Sequence, residues 1–422
     1  MKKIKPQLVI LNANQIVTCT ETRQEGFKVF SEQTIVIQNS LIIDICSIYH
    51  ATQKYIIDDS NSIDASGKVV APGFIDSHTH LVFYGTRVEE YAAKLHGDVE
   101  ANLKKIKLRT GPNRTIELTR DTSELELFEQ SKKRILSMLK HGTTTVESKS
   151  GYGLTTDSEI KILKIGRRLQ EETPLDVYNT FLGAHGIPDG MTKEKYLDII
   201  INEMIPAVSE QNLAEFCDVW CDNGYFTANE SRLILEAGLK VGMLPKIHAD
   251  AYSNIGGSKL AAEMKMVSID HMNYTPEHVL KDLKNAGVVG VLMPALDFAV
   301  NHKQPFQARK ILDSGMDIAL ATDLCPACYT PSMPFVINLA CRLYQLSVEE
   351  AICAATIGGA KALNLHDRGT IEVGKLADLQ IWDVPNYMHI AYELGVNVVD
   401  TVVKSGEVVV RKGSFVKVNI EV

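Results

Sequence analysis

Eight apolar runs, each followed by a stretch long enough for a helix, fill the middle of this 422-residue chain. They are Val70–His80, Thr143–Ser148, Val177–His185, Phe216–Asp222, Pro245–Asp250, Val267–His271, Val288–Pro294 and Ile318–Asp323. Short, nearly continuous apolar runs bounded by turn residues, such as Ser66-Gly67 before the first, read as strands buried on both faces. Helix signals punctuate the gaps. Ser123 with Glu126, Thr156 with Glu159 and Ser347 with Glu350 have capping-box spacing. Thr275-Pro276 followed by a pattern ending at Gly287 supplies an N-cap, an N1 proline and a C′ glycine. Eight strand–helix units close most simply into a (β/α)8, TIM-type barrel, an α/β fold.

The two ends of the chain differ from this middle. Leu8–Leu11, Gln15–Cys19, Thr34–Gln38 and Leu41–Cys46 alternate with polar turns, as do Ala377–Trp382, Val399–Lys404 and Glu407–Val410. Neither group is a domain by itself. Together, residues 1–68 and 372–422 are expected to form a small composite β-sandwich beside a barrel spanning 69–371.

Composition narrows the partners. A net charge of −8, with no basic block interleaved with aromatics, argues against nucleic acid. No run approaches the ~20 apolar residues that would cross a bilayer, and Leu8–Leu11 is too short for a signal peptide. The eight cysteines are then expected to be reduced thiols in a cytoplasmic protein. Cys325-Pro-Ala-Cys328 stands alone, whereas a zinc ribbon would need a second pair. A small-molecule substrate is the expected partner, without nucleic acid or membrane, and a homodimer is the expected assembly.

Barrels of this kind build their sites from the carboxyl ends of the strands. Those ends carry His78 and His80, Glu147 to Tyr152, His185, Asp222, His248, His271 and Asp323. Four of the eight strands thus end in histidine in a chain with only 12. His78 and His80 are two residues apart, so on a strand they share a face. Three histidines and an aspartate from separate strand ends can converge on one metal. Imidazole and carboxylate suit zinc or iron, with an open position for a water whose pKa falls towards ~7. A further histidine could accept a proton or orient that water.

Pro72-Gly-Phe-Ile-Asp-Ser-His-Thr-His80, the isolated His248 and His271, Ala321-Thr-Asp323 and the stretch Gly369 to Asp383 resemble the amidohydrolase superfamily. His78–Arg87, Gly142–Leu154, Phe181–Pro188, Lys246–Asp250 and Val384–Asn397 resemble more closely its imidazolonepropionase family, and the likeness runs over essentially the whole chain. The resemblance implies a metal-dependent cyclic amidohydrolase of histidine catabolism. Such an enzyme opens 4-imidazolone-5-propanoate to N-formimidoyl-L-glutamate by attack of a metal-activated water on the ring carbonyl. It implies one metal ion per chain, Zn2+ or Fe, held by His78, His80, His248 and Asp323. Arg87 and Tyr152 would bind the propanoate carboxylate, His185 would contact the ring, and His271 would assist the attacking water.

Two departures keep alternatives open. Three residues after the metal histidine the family has Glu or Gln, and this chain has Ala251. His185, His271, or a water held by Asp250 or Tyr252 could serve the ring nitrogen instead. After the metal aspartate, Asn-Pro-Gly-Ser is replaced by Cys325-Pro-Ala-Cys328. A hydrolase or deaminase acting on another heterocycle is the first alternative, and a barrel kept as a non-catalytic scaffold is the second.

Overall fold

The computed structural model describes residues 3–22, 24–106, 109–304 and 306–416. Eight parallel strands pair in chain order: β1 (Phe74–Asp76), β2 (Thr143–Lys149), β3 (Asp176–Ala184), β4 (Phe216–Cys221), β5 (Leu244–Ala249), β6 (Ser268–His271), β7 (Val289–Leu292) and β8 (Ile318–Leu320). The ring closes just beyond the ends of β1 and β8. Thr79 and Leu324 form a parallel bridge, the His80 amide donates to Leu324 (3.0 Å), and the Asp323 amide donates to His78 (3.1 Å). The seam of the barrel therefore runs through three of the candidate metal ligands.

The run expected as one strand over Val70–His80 is two. Val69–Pro72 lies in a different sheet, paired with Leu379–Trp382, and only Phe74–Asp76 enters the barrel. Gly73 is the crossing point. Its amide donates to Asp378 in the first sheet, and the next amide, Phe74, donates to Gly142 in the barrel. A Cβ at position 73 would stand 2.4 Å from the Thr144 hydroxyl, so only glycine fits.

Val69–Pro72 belongs to a seven-stranded sheet shared by both ends of the chain. It adjoins Gln15–Cys19 on one side and Leu379–Trp382, Val399–Lys404 and Glu407–Arg411 on the other. A four-stranded sheet of Leu41–Ser47, Gln33–Gln38, Leu8–Leu11 and Ser62–Asp64 packs against it through Ile10, Ile37, Val70, Leu379 and Val403. A composite sandwich was expected from the sequence over 1–68 and 372–422; the structure adds Val69–Pro72 to it, and residues 1–2, 23 and 417–422 of the assigned span lie outside the described residues.

Two of the four helix starts differ from expectation. Ser123 with Glu126 and Ser347 with Glu350 are capping boxes. The helix Thr156–Glu172 is instead capped by Thr155, and Glu159 is buried for another purpose. Thr275 gives its hydroxyl to Asp250, so Pro276 occupies the cap position of Glu277–Ala286, which Gly287 ends in the left-handed region. Among the described residues no helix is long and apolar enough to cross a membrane.

Candidate metal centre and substrate cavity

The charged residues of the barrel lie below the histidines and fix their rings. Lys149 on β2 donates to Glu147 (3.0 Å) and Asp218 (2.8 Å) and stands 3.1 Å from Asp270. Lys246 on β5 donates to Glu147 (2.7 Å), which also accepts from the Thr180 hydroxyl. All five charged groups are fully buried. Burial opposes their charges, and the outcome differs by residue: the carboxylates hold Lys149 above its usual range, Lys149 and Lys246 hold Asp270 well below its own, and at Lys246 burial prevails and lowers it. From this layer Asp270 reaches Nδ1 of His78 (2.7 Å) and Asp218 reaches Nδ1 of His248 (2.8 Å). A carboxylate on one nitrogen orients the ring and leaves the other nitrogen as the ligand atom.

Those other nitrogens have no protein partner. Nε2 of His78, Nε2 of His248 and Oδ1 of Asp323 are buried and unbonded. Asp323 Oδ1 lies 3.6 Å from His78 Nε2 and 3.9 Å from His80 Nε2. The ligand atoms of His78, His80 and Asp323 form one group within 4.8 Å of one another, and His248 falls in such a group with His78 and His271, and in another with His80 and His185. Burial pushes His78 and His80 well below the usual histidine range, with Lys149 adding to the effect at His78 and His185 at His80. Both are therefore neutral, as metal ligation requires. Unpaired buried imidazole nitrogens beside an unpaired carboxylate oxygen are a donor set that fits zinc or iron.

Backbone strain collects at the same rim. Asp250, His271, Met272 and Asp323 all have φ between 46° and 84°, a region that non-glycine residues rarely adopt. The turn puts His271 beside the cluster, its ring 5.1 Å from that of His248. Burial brings His271 and His185 down to about 3, so both are neutral bases at ordinary pH.

Above this centre opens a cavity of about 590 Å3, whose wall includes His80, Arg87, Tyr152, His185, His248, His271 and Asp323. All eight residues singled out as site candidates are thus together: seven line the cavity and His78 lies directly beneath. Arg87 keeps a buried Nε without a partner, and its nearest carboxylate, on Glu90, is 4.0 Å away. Tyr152 packs edge-on to His185, ring centroids 5.2 Å apart. Arg87 and Ala327 also border a second, apolar cavity of about 500 Å3 walled by Phe83, Tyr91, Phe298 and Tyr329.

The departures have structural consequences. Ala251 is buried, and its carbonyl accepts a hydrogen bond from His302 (2.9 Å). Asp250 is committed elsewhere, to Asn254 (2.9 Å) and Thr275 (2.8 Å), and does not line the cavity. Asp222 accepts the Tyr252 amide (2.8 Å) and shapes that turn instead of facing the cavity. Cys325 and Cys328 bond each other's backbones in a tight turn, as free buried thiols.

Several residues of the site were not anticipated. Glu159 is fully buried and accepts the amides of Gly151 (2.8 Å), Gly153 and Leu154 (both 2.7 Å), holding the loop that carries Tyr152. Gly151 has φ +107°, and a Cβ there would stand 2.7 Å from that of His185. Asp218, Lys246 and Asp270 leave a legible signal, a charged residue inside an otherwise buried strand. Glu159 leaves none, because its spacing imitates a capping box.

A family model described as "Amidohydrolase family" matches residues 228–409, and a second with the same description matches 61–219. Imidazolonepropionase of Geobacillus kaustophilus (strain HTA426) is 40% identical over 413 residues, covering 96% of this chain and 97% of that one. The enzyme of the same name from Alkaliphilus oremlandii (strain OhILAs) is 42% identical over 386 residues, covering 90% and 91%. Among solved structures, atrazine chlorohydrolase from Arthrobacter aurescens TC1, complexed with zinc, superposes with a TM-score of 0.74 at 15% identity, over 98% of this chain and 97% of that one, a likeness of fold.

Proposed function

The chain belongs to the imidazolonepropionase family of the amidohydrolases, and from that premise we propose that it hydrolyses 4-imidazolone-5-propanoate to N-formimidoyl-L-glutamate. The observation that carries the reading is that unpaired His78 Nε2 has unpaired Asp323 Oδ1 3.6 Å away and falls in a second close group with His248, beside a cavity whose wall holds a buried, unpaired Arg87 nitrogen.

In this reading His78, His80, His248 and Asp323 hold one zinc or iron ion. When bound, such an ion acidifies water and polarises a carbonyl oxygen. The remaining work belongs to side chains. Arg87 offers a planar fork to the propanoate carboxylate, and the Tyr152 hydroxyl adds a bond. His185, held by its Nδ1 contact with the Gly151 carbonyl (3.1 Å), faces the ring. His271 is neutral, so a free ring nitrogen can accept a hydrogen bond from the attacking water and turn its lone pair towards the carbonyl carbon. Burial excludes competing water from the floor. Residues 73–371 are the catalytic unit and 1–72 with 372–422 the accessory one, in a cytoplasmic homodimer; the boundary moves from 69 because Val69–Pro72 pairs in the seven-stranded sheet.

Elemental analysis of purified protein together with turnover of imidazolonepropanoate tests the reading. His248→Ala and Asp323→Asn should lose metal and activity together, and full metal in both variants would move the site elsewhere. Arg87→Ala should cost about 1.5–3 kcal/mol, mostly in KM. Ala251 and Cys325 favour a second reading, a related heterocycle as substrate. A metal-loaded protein inactive on imidazolonepropanoate but active on another cyclic amide would establish it.

A further inference from the structure

Trp220 lies on β4, one inward position above Asp218 and in register with His248 on β5. Because side chains alternate along a strand, Trp220 shares the interior face with Asp218, which sits in the buried ion network. Its side chain therefore enters the barrel mouth, and it lines the 590 Å3 cavity. Two neighbouring rings hold it. Tyr225 stacks on the indole at 3.6 Å and 18°, and the His185 ring lies 5.2 Å from it, tilted by 31°. His185 in turn stacks on His80 at 4.7 Å. A ladder of four rings thus runs from Tyr225 to the candidate metal centre.

Held in this ladder, the indole Nε1 is buried and has no acceptor. An indole nitrogen can only donate, and a buried donor without a partner is costly. At the β5 turn Ala251 offers only a methyl, and Asp250 is committed to Asn254 and Thr275. Four other unpaired atoms at this cavity match a ligand: His78 Nε2, His248 Nε2 and Asp323 Oδ1 would face a cation, and Arg87 Nε a carboxylate. The indole N–H, on a ring that lines the same cavity, matches an acceptor on a bound heterocycle.

We infer that Trp220 is a substrate-contacting residue that determines ring specificity, its Nε1–H donating to an acceptor atom of the substrate heterocycle while the Tyr225–Trp220–His185 ladder fixes the ring's plane. An indole does not release its proton under these conditions, so Trp220 binds and orients the ring and leaves proton transfer to other groups. The inference rests on the cyclic-amide reading above and names the residue that recognises the ring.

The test compares metal-loaded wild type with Trp220→Phe, which keeps an aromatic ring and removes the N–H. Imidazole-4-propanoate, with the ring, an acceptor nitrogen and the carboxylate but no amide to hydrolyse, is titrated by calorimetry above about pH 8, where imidazole is uncharged. The Phe variant should bind the probe about tenfold more weakly and raise KM for imidazolonepropanoate by a similar factor, with kcat, metal content and Tm unchanged. The chain has only two tryptophans, and the other, Trp382, is fully buried in the seven-stranded sheet. Probe binding should therefore shift the wild-type emission, and the shift should vanish in Trp220→Phe. Equal probe affinity in the two proteins, an unchanged wild-type emission at saturation, or no probe binding by wild type overturns the inference. Wild-type inactivity on imidazolonepropanoate, with the probe bound through Trp220, would instead break the assignment of substrate.

Discussion

Between the two terminal sheets the buried side chains are aliphatic, whereas the barrel buries a network of charge. Ile10, Ile37, Val70, Leu379 and Val403 are 0% exposed in the sandwich, and Glu147, Lys149, Asp218, Lys246 and Asp270 are 0% exposed in the barrel. The first set is what stability alone selects, because apolar burial is favourable and carries no pairing requirement. The second carries a desolvation cost that ion pairing rarely repays, and apolar substitutes of like volume are often at least as stable. What the barrel gains is orientation. Asp270 and Asp218 turn the rings of His78 and His248 so that both Nε2 atoms stand free at one place. With one more carboxylate than ammonium, the network also leaves a negative layer beneath the candidate cation site.

The sharpest way to break this comparison is Lys149→Met. It leaves Asp218, Glu147 and Asp270 facing each other without their shared cation, and should cost about 3–5 kcal/mol together with the metal. Urea unfolding and elemental analysis would read both; a variant as stable as wild type and fully loaded would refute the orienting role. In the sandwich, Ile37→Ala should cost about 2–5 kcal/mol by opening a cavity, yet leave kcat per folded molecule unchanged. A fall in kcat would mean that the two regions are coupled.

Asp270→Asn is gentler, since it keeps the shape and a possible bond to His78 while losing charge. Metal affinity should drop about 10–100-fold, measured by competition with a chelator. Unaltered affinity would make the second carboxylate, Asp218, the dominant support. Smallest is a pH effect in the metal-free protein. His185 and His271 titrate at about 3 when folded, against about 6.5 when free. The unfolded chain thus takes up protons first, and stability is complete above about 6.5 and declines as pH falls towards 3. One unit below 6.5 each histidine should account for about 1.4 kcal/mol at most. His185→Asn should flatten the urea midpoint plotted against pH, whereas Ile37→Ala should only offset it; a slope that survives both would place the titration elsewhere.

The amino-acid sequence by itself determined the periodicities. Eight apolar runs with intervening helices specified the barrel, because a strand buried on both faces cannot hide its composition. His78-x-His80 and the histidines at three other strand ends marked the site, because strand geometry is local and side chains alternate. The tertiary structure decided whatever depends on pairing between distant segments. That Asp270 supports His78 across 192 positions, or that Lys149 shares three carboxylates, follows from the closure of the ring and has no local signature. The division of the run at Gly73 was also decided there, since both halves read as strand and the Thr144 side chain, from the neighbouring strand, excludes a Cβ between them. Glu159 looked like a cap, and became the anchor of the Tyr152 loop because three backbone amides, converging in space, outcompete one helix end for its carboxylate.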